Sequence, residues 1–118
     1  ADPAGAPRGG IIVIQEIFGV NIHIRETCDR FASEGYVAIA PALFDRSETK
    51  NCELGYTPDD IAAGRDIMGT FSWDLCIMDM KAAYDVMAGE GLKVGSVGYC
   101  WGGTMSYLAA PGCRSRPQ

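Results

Sequence analysis

Three short runs, "IIVIQ" at Ile11–Gln15, "YVAIAP" at Tyr36–Pro41 and "KVGSVG" at Lys93–Gly98, are separated by stretches of helical character, and this alternation restricts the fold more than any other feature. The first run follows Gly9-Gly10 and is a nearly continuous β-branched segment with no polar alternation. Such a strand is buried on both faces, the condition of a strand in a parallel sheet covered by helices. The second returns as a buried strand stopped by Pro41, and the third follows the helix-breaking "GEG".

The intervening segments carry helix start and stop signals. Asn21 is placed to cap a helix that runs to about Glu34, with Ile24, Cys28 and Phe31 at helical spacing and Gly35 closing it. Ala42–Tyr56 has no period and mixes charge with glycine, so it reads as a loop long enough to be functional. "TPDD" then gives Thr57 as N-cap, Pro58 at the first helical position and Asp60 in the capping-box position, opening a short helix to about Met68. A further helix is expected from about Ser72 to Met87, with Leu75, Met78, Ala82 and Val86 on one side. Strand, helix, strand, helices, strand, helix is the order of a right-handed α/β sheet with flanking helices.

In such sheets ligands bind beyond the carboxyl ends of the strands. Two chemically capable residues fall there: Glu16 after the first strand and Cys100 after the third. Gly98-Tyr99-Cys100-Trp101-Gly102 has the form G-x-nucleophile-x-G, with cysteine where serine is usual. A sharp strand-to-helix turn crowds the neighbouring backbone, so Gly98 and Gly102 would have to lack side chains for the nucleophile to project above the sheet, forming a nucleophile elbow. A helix N-terminus beyond it favours the thiolate and lowers the thiol pKa from its free value of about 8.5. Glycine-rich turns also serve packing or dinucleotide binding. The dinucleotide pattern G-x-G-x-x-G cannot be laid on "GSVGYCWGG", and no acidic residue follows it. A lone carboxylate such as Glu16 can equally be a solvated or capping group.

Composition limits the ligand. The 118 residues, 47% hydrophobic and 21% charged, make at most one globular domain. A net charge of −5 with no basic stripe argues against nucleic acid and anionic membranes, leaving a small molecule. No apolar run approaches the roughly 20 residues that span a bilayer, and "ADPAGAPRGG" lacks the order of a signal peptide, so a cytoplasmic location is expected. The five cysteines, at 28, 52, 76, 100 and 113, are odd in number and form no C-x-x-C pair, which disfavours a disulfide framework, a zinc site and a redox dithiol. Cys28, Cys52, Cys76 and Cys113 read as free structural thiols. No metal or other cofactor is expected, and oligomeric state is not readable.

"QEIFGVN" at Gln15–Asn21, "EGYVAIAP" at Glu34–Pro41 and "VGYCWGG" at Val97–Gly103 resemble the dienelactone hydrolase family, cysteine-nucleophile α/β-hydrolases, over about Gly10 to Ala110. The resemblance implies a partial α/β-hydrolase fold, with the "IIVIQ" strand between the other two. It also implies hydrolysis of a small lactone or ester, with Cys100 as nucleophile and Glu16 as its activating carboxylate. The oxyanion hole it implies consists of the backbone N–H groups of Ile17 and Trp101.

The chain departs from the family pattern in its triad. An aspartate and then a histidine should follow the nucleophile, whereas the single histidine, His23, precedes Cys100 and reads as a first-turn helix residue. The expectation is therefore the N-terminal half of a catalytic domain at 11–110, preceded by a linker or cut start at 1–10 and followed by an irregular tail at 111–118. Such a piece would be inactive alone. The alternative is a non-catalytic fragment or pseudoenzyme that binds a small molecule through the same loops.

Overall fold

The computed structural model describes residues 1–46, 53–69 and 72–98. In chain order the elements are β1 (Gly9–Ile14), α1 (Ile22–Ser33), β2 (Tyr36–Ile39), a 3-10 turn (Leu43–Arg46), α2 (Pro58–Met68), α3 (Trp73–Gly89) and β3 (Val94–Gly98). The sheet has the order β2-β1-β3, all parallel, with Gly10 beside Val37 on one side and beside Val94 on the other. This is the parallel α/β arrangement the sequence implies, with the first strand central.

β1 begins two residues before the expected Ile11 and ends one before Gln15. Glycine has poor strand propensity, yet Gly9 pairs with Tyr36 and Gly10 donates to the Lys93 carbonyl at 2.9 Å, so the ladder extends into them. Side-chain alternation sends β1 into two cores. Ile12 and Ile14 face α3, where they join Val37, Leu43, Cys76, Met80, Ala83 and Met87. Val13 faces α1 and packs with Ile24, Cys28 and Ala38. A β-branched run with no polar alternation follows from being covered twice.

The helix ends behave as the sequence indicates. The Asn21 side chain accepts from the Ile24 N–H, and Gly35, at φ 96°, takes the left-handed conformation that stops α1. Thr57 and Asp60 form a reciprocal capping box at the start of α2, with Pro58 in the first turn. Ser72 precedes α3 but makes no side-chain capping bond. The stretch read as a loop contains the 3-10 turn, whose Leu43 and Phe44 are buried and close the core below it.

One expectation is corrected. Leu75, Met78, Ala82 and Val86 do not form the buried side of α3; Met78 is 60% exposed and Val86 58%. The buried side is Cys76, Met80, Ala83 and Met87. The reason lies in β1: a Cβ on Gly10 would lie 2.6 Å from the Met87 sulfur, so the vacant side-chain position on that strand is where Met87 sits.

The first residues are tied to the sheet. The Ala1 ammonium donates to the Ala38 carbonyl at 2.6 Å, and the Ala38 N–H donates to the Ala1 carbonyl at 2.9 Å, on the edge of β2.

Candidate active site

The site is built at the carboxyl end of β1. Gln15, the first residue past the strand, is completely buried, and its amide is used twice. Its Oε1 accepts from the Leu43 N–H at 3.0 Å, and its Nε2 donates to the Glu16 carbonyl at 3.2 Å. A buried amide must satisfy both ends, so Gln15 joins the end of β1 to the segment after β2 and fixes the peptide that follows it.

The chain then turns. Glu16 and Gly19 bridge in antiparallel fashion, and Gly19 bridges onward to Glu53. The Leu54 N–H donates to the Phe18 carbonyl at 2.8 Å, and the Phe18 ring stands edge-on to Tyr56 with centroids 4.6 Å apart. Asn21 serves two elements at once. Its Oδ1 caps α1, while its Nδ2 donates to the Leu54 carbonyl at 3.1 Å and to the Tyr56 hydroxyl oxygen at 3.4 Å. Arg25, in the first turn of α1, forms an ion pair with Glu53 across the same junction.

Glu16 emerges from this framework with its side chain 21% exposed, and its Oε1 lies 4.0 Å from Nε2 of His23. His23 occupies the first turn of α1, as its position in the sequence indicates, and is half-exposed. Gly98 ends β3 directly beside Ile14 in the ladder. The register therefore aligns the strand leading to Glu16 with the strand leading to the proposed elbow. Glu16, Ile17 and Gly98 gather at one end of the sheet; Cys100, Trp101 and Gly102 lie outside the described residues, as do the helix expected after them and the 111–118 tail.

Of the structural thiols, Cys28 and Cys76 are buried and not disulfide-bonded, as expected; Cys52 and Cys113 lie outside the described residues. Burial pushes the Cys28 thiol pKa up from its ordinary value, opposed by the Ala1 ammonium and reinforced by Asp29. A thiol held protonated in this way is a poor nucleophile. Among the described residues no group of three or more His, Cys, Asp or Glu side chains is arranged to hold a metal, and no helix is long and apolar enough to cross a membrane.

The sequence assigns no role to Gln15, and to Asn21 only the cap of α1, which the structure shows. The available signal was a fully polar residue at the end of a buried strand and a capping asparagine with a second amide hydrogen-bonding group to satisfy.

A parallel sheet carrying this loop and a strand running into G-x-C-x-G is an α/β-hydrolase arrangement. The family comparison is specific: the profile of the dienelactone hydrolase family matches residues 1–115, and the chain belongs to that family. A Synechocystis sp. protein named "Putative carboxymethylenebutenolidase" is 45% identical over 104 residues, covering 85% of this chain and 42% of the relative. The carboxymethylenebutenolidase of Pseudomonas putida is 32% identical over 111 residues, covering 92% of this chain and 47% of that protein. A solved structure from Klebsiella pneumoniae, described as a "Putative Dienelactone Hydrolase", superposes with a TM-score of 0.73 at 34% identity, over 91% of this chain and 44% of the other. The chain thus spans less than half the length of these relatives.

Proposed function

We propose that this chain supplies the nucleophile half of a hydrolase that opens a small lactone or ester, as part of a longer catalytic domain. The supporting observation is the register of β1 and β3. Ile14 pairs with Gly98, and Glu16 and Cys100 each follow two positions later in the sequence. A carboxylate that is only partly exposed, at the end of a strand paired with the one that leads toward Cys100, is suited to take the proton from a thiol.

In this reading the Cys100 sulfur, as thiolate, attacks the carbonyl carbon of the substrate. The carbonyl oxygen gains the displaced electron pair and accepts hydrogen bonds from the N–H groups of Ile17 and Trp101. The intermediate collapses by breaking the bond to the ring or alcohol oxygen, which leaves as an alkoxide and takes up a proton. Water then attacks the acyl-cysteine, a step that requires a general base. The family places a histidine downstream of the nucleophile for that step. His23 is the only histidine of this chain and precedes Cys100, so acyl transfer without efficient turnover is expected of the chain alone.

Brief iodoacetamide treatment at neutral pH followed by mass spectrometry tests the nucleophile. Cys100 should label first, with Cys28 and Cys76 unlabelled in the folded chain. Labelling led by Cys52 or Cys113 while Cys100 stays inert would reject the reading. Turnover of an activated ester should appear only when the chain is extended by the family's Asp- and His-bearing half, and Glu16→Gln in that protein should lower it with the fold intact. A chain that binds small esters while Cys100 is never acylated would be a non-catalytic binding unit.

A further inference from the structure

Helix α2 touches the loop after β1 through Gly64, the one buried residue of that helix. A Cβ built on Gly64 would overlap the carbonyl oxygen of Ile17 and stand 3.0 Å from its carbonyl carbon. Both parties are backbone, so neither can move aside by changing a rotamer. This contact completes a series. The Glu16 carbonyl, which shares a peptide plane with the Ile17 N–H, is held by the Gln15 amide; the next peptide is pressed by Gly64; the one after that is held by the Leu54 N–H. Three successive peptide planes are thus each held by a different contact, one from within the loop and two from outside it.

Resting on the reading that the Ile17 N–H is an oxyanion donor, we propose that Gly64 is a positioning residue: its backbone contact fixes the Ile17 carbonyl, in the peptide next to the one that carries that N–H, and together with the Gln15 bond to the Glu16 carbonyl it restricts rotation about the Ile17 backbone. An oxyanion donor acts only if it is already aimed where charge develops, because reorienting a peptide during the reaction costs part of the stabilisation. Glycine at position 64 lets α2 come close enough to hold that neighbouring peptide.

Two reactions of the same thiol separate this role from a general effect on folding. Alkylation by iodoacetamide forms a carbon–sulfur bond at a saturated carbon and expels iodide with its electron pair, so no carbonyl oxyanion develops. Acylation by p-nitrophenyl acetate forms the carbon–sulfur bond at a carbonyl, passes through a tetrahedral oxyanion, and releases p-nitrophenolate. Gly64→Ala should slow acylation of Cys100 by about 10- to 100-fold, part of what deleting a donor costs, and leave alkylation unchanged. Gly89→Ala in α3, where a Cβ meets nothing within 4 Å, should change neither rate. Equal loss of both rates in Gly64→Ala, or no loss of acylation, would overturn the proposal.

If Cys100 of the parent chain is alkylated but never acylated, the hydrolase reading fails on its own. The positioning claim is then decided by the amide resonance of Ile17, which should shift in Gly64→Ala and stay in Gly89→Ala; an unmoved resonance overturns it. Should Gly64→Ala not fold, Thr57→Ala loosens the first turn of α2 instead. It should lower the ratio of acylation to alkylation several-fold, and an unchanged ratio overturns the proposal.

Discussion

Helices α1 and α3 cover opposite faces of the same strand, but they depend on their sequences to different degrees. In α1 the apolar residues are few, and the spacing of Ile24, Cys28 and Phe31 marks one stripe; Ile24 and Cys28 are buried with Thr27 beside them, Phe31 is half-buried, and Ile22, off the stripe, is exposed. In α3, "WDLCIMDMKAAYDVMAG", apolar residues lie on nearly every side, and periodicity fits more than one face. The face that is buried is the one that fills the space above Gly10 with Met87 and sets Met80 against the core. A helix whose pattern is degenerate takes its orientation from the surface beneath it.

The largest effect that would break this contrast is expected at Met87. Met87→Ala should cost about 2–5 kcal/mol in a denaturant titration, because it empties a fully buried site, whereas Val86→Ala beside it should cost little. The reverse order would restore the stripe read from the sequence. Gly10→Ala comes next, at about 1–3 kcal/mol, since the added methyl meets a flexible sulfur that can be displaced. Its effect should fall well below that value in a Met87→Ala background, and simple additivity of the two would show that they do not share the space.

Smaller effects sharpen the α1 side. Asn21→Ala removes the cap of α1 together with the bonds to Leu54 and Tyr56, and should cost about 1–2 kcal/mol, more than Thr57→Ala, which loses only a cap and its box. Equal costs would mean that the Leu54 and Tyr56 contacts contribute nothing. The smallest change is expected at Lys81, whose Nζ meets the Asp85 carboxylate at 2.8 Å on the exposed surface of α3. Lys81→Ala should shift stability by less than about 0.5 kcal/mol, the scale of an exposed i,i+4 pair.

The candidate site divides along a similar line. The places of Glu16 and Gly98 at strand ends were readable because the apolar runs that lead to them stop there, and strand ends in a parallel sheet are where ligands bind. The register that aligns those strand ends, and the bonds of Gln15, Asn21 and Leu54 that hold the loop between them, were not. The bonds of Gln15 and Asn21 join residues 28 and 33 positions apart, the register joins Ile14 to Gly98, and neither leaves a periodic mark in the chain.

The sequence by itself determined the order of the elements, the burial of the β-branched strand on both faces, the caps of α1 and α2 and, through three short motifs, the family resemblance that implied a central place for that strand. These follow from local preferences and short motifs, which act through neighbours within a few residues. Tertiary structure alone decided which side of α3 is buried, that the strand would extend into Gly9 and Gly10, and that Gly64 would meet the Ile17 carbonyl. Each of those outcomes depends on a vacant Cβ position on one element being occupied or paired by another, and that complementarity exists only after the elements are brought together.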